Sequence, residues 1–250
     1  MSKTAFITGA GGYLGSQCAL QLAKEGINVA VSDINEAAVN KTLERINEIG
    51  GKAKGYVFDV SDSKQVDKAV NDAYKTFGSL DIMIHVAGGS SRIAGGKNYY
   101  LFEQEDEIID RVLKINLYGA FWTARAASRI MIENEKGGKI LFFSSAVGIN
   151  GLAGCCDYAA SKGGVMSLTK ALAKEMGRYN INVNAIAPGV VVRPDEEVDR
   201  SVGTSFLKTK CTAEDVAQLA SFLVSDKAKF ITGQTYIIDG GRTLSMKGTD

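Results

Sequence analysis

Thr4-Ala5-Phe6-Ile7-Thr8-Gly9-Ala10-Gly11-Gly12-Tyr13-Leu14-Gly15 is the stretch on which the fold of this 250-residue chain turns. Its opening residues, Thr4 to Ile7, read as a short buried strand, and residues 14–25 place apolar side chains at helical spacing. The glycines between them let the backbone bend sharply and approach a pyrophosphate closely. The N–H groups that open the helix then face that anion, so Gly9, Gly11, Gly12, Tyr13 and Leu14 are candidate cofactor-binding positions. Strand, glycine turn and helix in this order supply the context such a site needs. A tight βα connection with no ligand uses the same residues, and the stretch alone leaves both readings open.

Outward from the turn, the next apolar strand, Asn28-Val29-Ala30-Val31-Ser32, ends at Asp33. A carboxylate there accepts from the adenosine ribose hydroxyls and repels a 2′-phosphate, which favours NAD over NADP. No Arg or Lys stands in the turn or just after Asp33. The other use of Asp33 is to cap a helix over residues 35–49. Asp59 faces a similar choice: it meets the adenine amino group, or it caps the next helix with Ser61 and Asp62. Strand and helix signals then alternate. Helices are expected near residues 36–49, 63–77, 105–134, 157–179 and 213–224, and strands near 53–58, 81–85, 139–143, 182–187 and 235–238. This alternation is that of an α/β chain with a parallel sheet, whose right-handed crossovers line the strand C-termini along one edge.

Chemistry enters at Tyr158-Ala159-Ala160-Ser161-Lys162. The i, i+4 spacing puts phenol and ammonium on one helix face, close enough for the cation to favour a phenolate. A free tyrosine titrates near ~10. The cation, joined by an oxidised nicotinamide ring, lowers that value toward the working range of a proton carrier. Ser145, just past the apolar strand Ile140-Leu141-Phe142-Phe143, orients the same substrate oxygen by a hydrogen bond. Taken alone, this tyrosine-lysine pair is equally a tyrosine beside a solvated lysine.

Together these segments resemble the compact branch of the short-chain dehydrogenase/reductase family. The resemblance rests on Thr8-Gly9 to Gly15, Asp59-Val60, Ala87-Gly88, Asn116, Ser144-Ser145, Tyr158 with Lys162, Pro188-Gly189, and the closing Thr232-Gly233-Gln234 and Asp239-Gly240-Gly241. It covers essentially the whole chain. It implies a single Rossmann-type doubly wound domain over residues 1–250, with a seven-stranded parallel sheet flanked by helices. It also implies a catalytic tetrad of Asn116, Ser145, Tyr158 and Lys162, in which Asn116 holds a water that relays protons to Lys162. The cofactor positions it implies are Gly9, Gly11, Gly12, Tyr13, Leu14, Asp33, Asp59, Val60, Ala87, Gly88, Tyr158, Lys162, Pro188, Gly189, Val190 and Val192, the last two through their backbones at the carboxamide. The expected activity is reversible hydride transfer between NAD(H) and a secondary alcohol or ketone. An NADPH-dependent 3-oxoacyl reductase is the alternative, with a sugar-nucleotide epimerase and a non-catalytic NAD sensor or scaffold behind it.

The departures are specific. Tyr13 stands where the compact branch usually has glycine. His85-Val86-Ala87-Gly88 replaces Asn-Asn-Ala-Gly, and His85, the only histidine, reads as a packed, hydrogen-bonded residue. Arg193 replaces a threonine that commonly faces the nicotinamide amide. With Arg92 and Lys97 it is a candidate receptor for an anionic substrate group, the other reading being a solvated arginine near Asp195 and Glu196. Cys155, in the pair Cys155-Cys156 just before Tyr158, is a candidate pocket residue. Substrate loops are expected at residues 89–100, 146–157 and 190–212, with 193–210 forming a flap. Phe121 and Trp122 either meet a symmetry mate in a homodimer or homotetramer or are buried within one subunit.

Composition excludes several classes. With 45% hydrophobic residues and a net charge of +1, the chain suits one α/β domain and shows no basic excess for nucleic acid. No apolar run has membrane-spanning length, and the first strand begins with no signal peptide before it, so a cytoplasmic location is expected. The four cysteines lack zinc spacing, and no metal is expected. The expected partner is a small-molecule substrate.

Overall fold

The computed structural model describes residues 2–90, 100–193 and 205–244. Seven strands form one parallel sheet: β1 (Thr4–Thr8), β2 (Asn28–Asp33), β3 (Ala53–Val57), β4 (Ile82–His85), β5 (Gly138–Phe143), β6 (Ile181–Pro188) and β7 (Thr235–Ile238). Their order is β3-β2-β1-β4-β5-β6-β7. The chain therefore builds outward from β1 in one direction and, after crossing back, from β4 in the other. The crevice between the C-terminal ends of β1 and β4 is the switch point of a Rossmann-type fold. Register there pairs Thr8 with His85.

Helices cover both faces, so the central strands are apolar on both sides. Period-two alternation sends Phe6, Met83, Ile140 and Phe142 to one face and Ile7, Ile84, Leu141 and Phe143 to the other, all buried. The first face packs against α3 (Ser63–Phe77), α5 (Gly119–Glu133) and α7 (Cys156–Met176). The second packs against α1 (Tyr13–Lys24), α2 (Glu36–Glu48) and α8 (Ala213–Val224). Removing a ring from these layers, as in Phe142→Ala, costs about 3–5 kcal/mol.

Local signals explain the helix ends. Asn35 caps α2 through the Ala38 N–H, Asp62 caps α3 through Lys64 and Gln65, and Thr212 caps α8 in a reciprocal pair with Asp215. Neither Asp33 nor Asp59 is a helix cap, which corrects that alternative for both. The helix expected over residues 105–134 is also corrected. It is α4 (Asp106–Leu113) joined to α5 through a π-helical turn, Lys114–Tyr118. A short helix, α6 (Val147–Asn150), lies between β5 and α7. No helix among the described residues is long and apolar enough to cross a membrane.

Candidate active site

The glycine turn is shaped by contacts that leave no room for side chains. Gly9 adopts φ 64°, and a Cβ there would stand 2.7 Å from the Ala87 nitrogen. A Cβ on Gly15 would run into the Gly9 carbonyl. The turn is thus pressed against the strand end that carries Ala87 and Gly88. Gly12 is the N-cap of α1 and offers no side-chain acceptor, so the first turn of α1 keeps its N–H groups for another partner. This cradle fits a dinucleotide phosphate. Asp33 is bound into it, one carboxylate oxygen accepting from Gly11 N–H at 3.1 Å and the other from Asn35 N–H at 3.0 Å. Asp59 accepts from the N–H and hydroxyl of Ser61, both at 2.8 Å. Val60 is packed in the core against Gly119, so only its backbone is available to a ligand. Leu14 packs against the core at the base of α1.

The second cluster forms where β5 meets α7. The hydroxyls of Tyr158 and Ser145 are hydrogen-bonded to each other. Lys162, fully buried, donates from Nζ to the Phe143 carbonyl at 2.7 Å and lies 5.7 Å from the centre of the Tyr158 ring. Ser144 secures the helix by donating to the Lys162 carbonyl at 2.8 Å. With no carboxylate to offset burial, the Lys162 ammonium is pushed down from 10.5 to about 8. Burial raises Tyr158 above its ordinary value, against a smaller lowering by the Ser145 hydrogen bond. In the protein by itself burial thus outweighs the Ser145 hydrogen bond and holds the Tyr158 hydroxyl above its ordinary value.

Asn116 sits on the π-helical turn, fully buried, and its amide clamps Gly89 in both senses, accepting from its N–H at 2.9 Å and donating to its carbonyl at 2.8 Å. It is also beside Gly88, where a Cβ would overlap the Asn116 oxygen and approach Lys162 Nζ at 3.2 Å. The structure thus brings Asn116, Lys162 and Gly88 together. His85, completely buried, shares Nδ1 with the hydroxyls of Thr8 at 3.0 Å and Thr123 at 3.2 Å. Burial drives its pKa from 6.5 down to about 3, so its ring is neutral. Thr123 was not singled out in the sequence and Thr8 only as the start of the glycine motif, and no local signal marks either as a partner of His85, because both pair with it only across distances in the chain.

The segment after β6 differs from expectation. Val192 N–H donates to the Cys211 carbonyl and its own carbonyl accepts from the Tyr13 hydroxyl, each at 3.0 Å. Both its backbone groups already have a partner within the protein, and the carbonyl keeps a second lone pair for a ligand. Val190 lines a cavity of about 470 Å³ at the ends of β6 and β7, with Leu207, Cys211, Asp239 and Arg242. Pro188 and Gly189 are fixed by β-type bonds, the Pro188 carbonyl accepting from Ala146 and the Gly189 N–H donating to Ile238. Asp239 was read only as part of the closing family motif and Arg242 not at all, because their place in this cavity depends on the far end of the chain returning to β6. Arg193 is exposed and lies over the Tyr13 ring, and Arg92 and Lys97 fall outside the described residues, as do residues 194–204 of the expected flap. Cys155 is buried at the N-cap of α7, and its neighbour Cys156 is the exposed member of the pair. Among the described residues no group of side chains is arranged to hold a metal ion.

A glycine cradle at the switch point, with a serine-tyrosine-lysine cluster across from it, defines an oxidoreductase of the nicotinamide-dinucleotide class. Residues 9–243 match a family model described as Enoyl-(Acyl carrier protein) reductase. The 3-oxoacyl-[acyl-carrier-protein] reductase FabG of Thermotoga maritima is 34% identical over 97% of this chain and 98% of its own length. A diacetyl reductase [(S)-acetoin forming] of Staphylococcus epidermidis is 35% identical over 96% and 98%. A short-chain type dehydrogenase/reductase from Mycobacterium ulcerans superposes with a TM-score of 0.89 at 27% identity, covering 98% of this chain and 92% of that one. The chain belongs to the short-chain dehydrogenase/reductase family.

Proposed function

We propose that this protein is an NAD(H)-dependent oxidoreductase that interconverts a secondary alcohol and its ketone. The observation that carries this reading is the Ser145–Tyr158 hydrogen bond beside the buried Lys162 ammonium. Two hydroxyls converge there on the place a carbonyl oxygen would occupy. The nicotinamide, when bound, supplies or takes up the hydride. Ser145 holds the substrate oxygen in place. A tyrosine's ordinary value near ~10 already keeps it protonated at neutral pH, and burial raises that of Tyr158 further, so it is set to give its proton to the oxygen formed on reduction. The Lys162 ammonium stabilises the phenolate left behind. Asn116 ties the strand end at Gly88 and Gly89 to the same cluster.

Cofactor choice follows from Asp33. Its carboxylate is fixed against the turn by Gly11 and Asn35, with no Arg or Lys in the turn to welcome a 2′-phosphate. A second reading, a 3-oxoacyl reductase using NADPH, draws support from the relatives named for that substrate class. Measuring oxidation of NADH and NADPH with diacetyl, a 3-oxoacyl thioester and a panel of ketones separates the two. Turnover that needs NADH supports the first reading; turnover with NADPH alone removes it in favour of the second. The cytoplasm and a homodimer or homotetramer complete the proposal. The half-exposed Tyr118 at the end of the π-helical turn and Phe121 on α5, with Trp122 capped by Arg125 at 4.7 Å, support the start of α5 as the place where copies meet.

A further inference from the structure

The two motif departures that stand furthest apart in the sequence touch each other in the fold. Tyr13, where the family usually has glycine, is the first residue of α1. Its hydroxyl donates to the Val192 carbonyl at 3.0 Å. Its ring lies under Arg193, where the family commonly has threonine, with the guanidinium carbon 5.9 Å from the ring centre. Val192 is buried and is held from the other side by Cys211. The segment after β6 is thereby pinned across the N-terminal end of α1, with an exposed arginine stationed there.

That helix end is built for negative charge and has nothing of its own to balance it. The helices α2, α3 and α8 each have a side-chain cap, whereas α1 opens on Gly12 with none. The turn at residues 8–15 contains no Lys or Arg. A phosphate group there draws on the first-turn N–H groups and the helix dipole. A guanidinium adds the planar, paired donors that match phosphate oxygens. A contact between a cation and a ring is worth little when exposed, so it positions Arg193 without competing strongly for it.

We propose that Tyr13 and Arg193 form a cofactor clamp. The Tyr13–Val192 hydrogen bond fixes the segment over the glycine turn, and Arg193 binds the dinucleotide pyrophosphate rather than an anionic group of the substrate. This rests on the dinucleotide reading above and assigns within it roles to two side chains that depart from the family's pattern.

The test is calorimetric binding of ADP-ribose, which carries the pyrophosphate without the nicotinamide, with phosphate-free adenosine as the control. Arg193→Ala is expected to weaken ADP-ribose about ten- to a hundredfold and leave adenosine unchanged, as for a lost charged hydrogen bond. Arg193→Lys recovers part of the loss. Tyr13→Phe keeps the ring, loses the tether, and weakens ADP-ribose about two- to tenfold. Unchanged ADP-ribose affinity in Arg193→Ala overturns the clamp. So does an equal loss for adenosine, or a higher KM for the ketone at saturating cofactor with ADP-ribose binding intact. Should the wild type bind neither ADP-ribose, NADH nor NADPH, the dinucleotide reading itself fails and the clamp with it.

Discussion

The two halves of the sheet present their C-terminal ends in opposite ways. On the β1–β2–β3 side the working surface is backbone: a glycine turn, an uncapped helix end, and two carboxylates held in place by neighbouring N–H or hydroxyl donors. On the β4–β5–β6 side it is side chains: Ser145, Tyr158, Asn116 and a lysine with no exposed surface to speak of. The first half binds through what is missing from its side chains, and the second reacts through groups whose properties burial has changed. A binding surface made of backbone tolerates little steric change, whereas a reactive one made of desolvated side chains is sensitive to charge.

Four substitutions break or sharpen that contrast. Tyr158→Phe is the largest: kcat is expected to fall by about 10³ or more, the scale of a lost proton carrier, with NADH binding by fluorescence unchanged. Loss of binding as well would mean that the halves are not separable. Gly15→Ala attacks the other side. Overlap with the Gly9 carbonyl should destabilise the fold by about 1–3 kcal/mol in urea melts and abolish ADP-ribose binding.

Lys162→Met is expected to go the other way on stability. The ammonium titrates at about 8 in the folded protein against 10.5 in the unfolded chain. Between those values the unfolded chain holds more protons, so stability rises with pH from about 8 to 10.5, and below pH 8 the full penalty is present. Removing the charge should stabilise the protein at pH 7 by up to about 3 kcal/mol, less what the Phe143 carbonyl loses, while activity disappears. Melts of both proteins from pH 7 to 10.5 check this: the pH-dependent rise belongs to the wild type, and its persistence in the variant would assign it elsewhere. The smallest effect is Asp33→Asn, which should shift the ratio of kcat/KM for NADH over NADPH toward NADPH by about tenfold. An unchanged ratio would remove Asp33 from cofactor choice.

The same contrast explains what could be read before the fold was known. The turn at residues 8–15 is local, so its glycines declare themselves by type and spacing, and strand ends such as Asp33 and Ser145 follow from apolar runs that stop. Tyr158 and Lys162 share a helix, so i, i+4 spacing places them together. The direction of the Tyr158 shift was not legible, because it depends on how much protein closes around the ring. Nor was the Tyr13–Val192 hydrogen bond, which joins residues 179 positions apart. The π-helical turn at Lys114–Tyr118 left no mark either, since its residues are ordinary helix formers and only its packing distinguishes it. Asp33 and Asp59 were ambiguous because both stand near helix starts; Asn35 and Asp62, two and three residues on, do the capping instead.

That π-helical turn has a consequence for how the chain can vary in length. Each residue of an α-helix advances about 100° around the axis, and a π-turn holds one residue more than the regular ladder requires. The surplus residue is taken up inside the wide turn, so α4 and α5 keep the facing they would have in one regular helix. Deleting one residue between Leu113 and Gly119, Asn116 apart, would restore regular winding and leave Trp122 on the layer it packs against and Thr123 at the His85 ring. The same deletion inside the regular part of α5 would rotate everything downstream by about 100°. A single-residue change in length is therefore absorbed at this turn, at the expense of the bulge that carries Asn116, and not elsewhere along the helix.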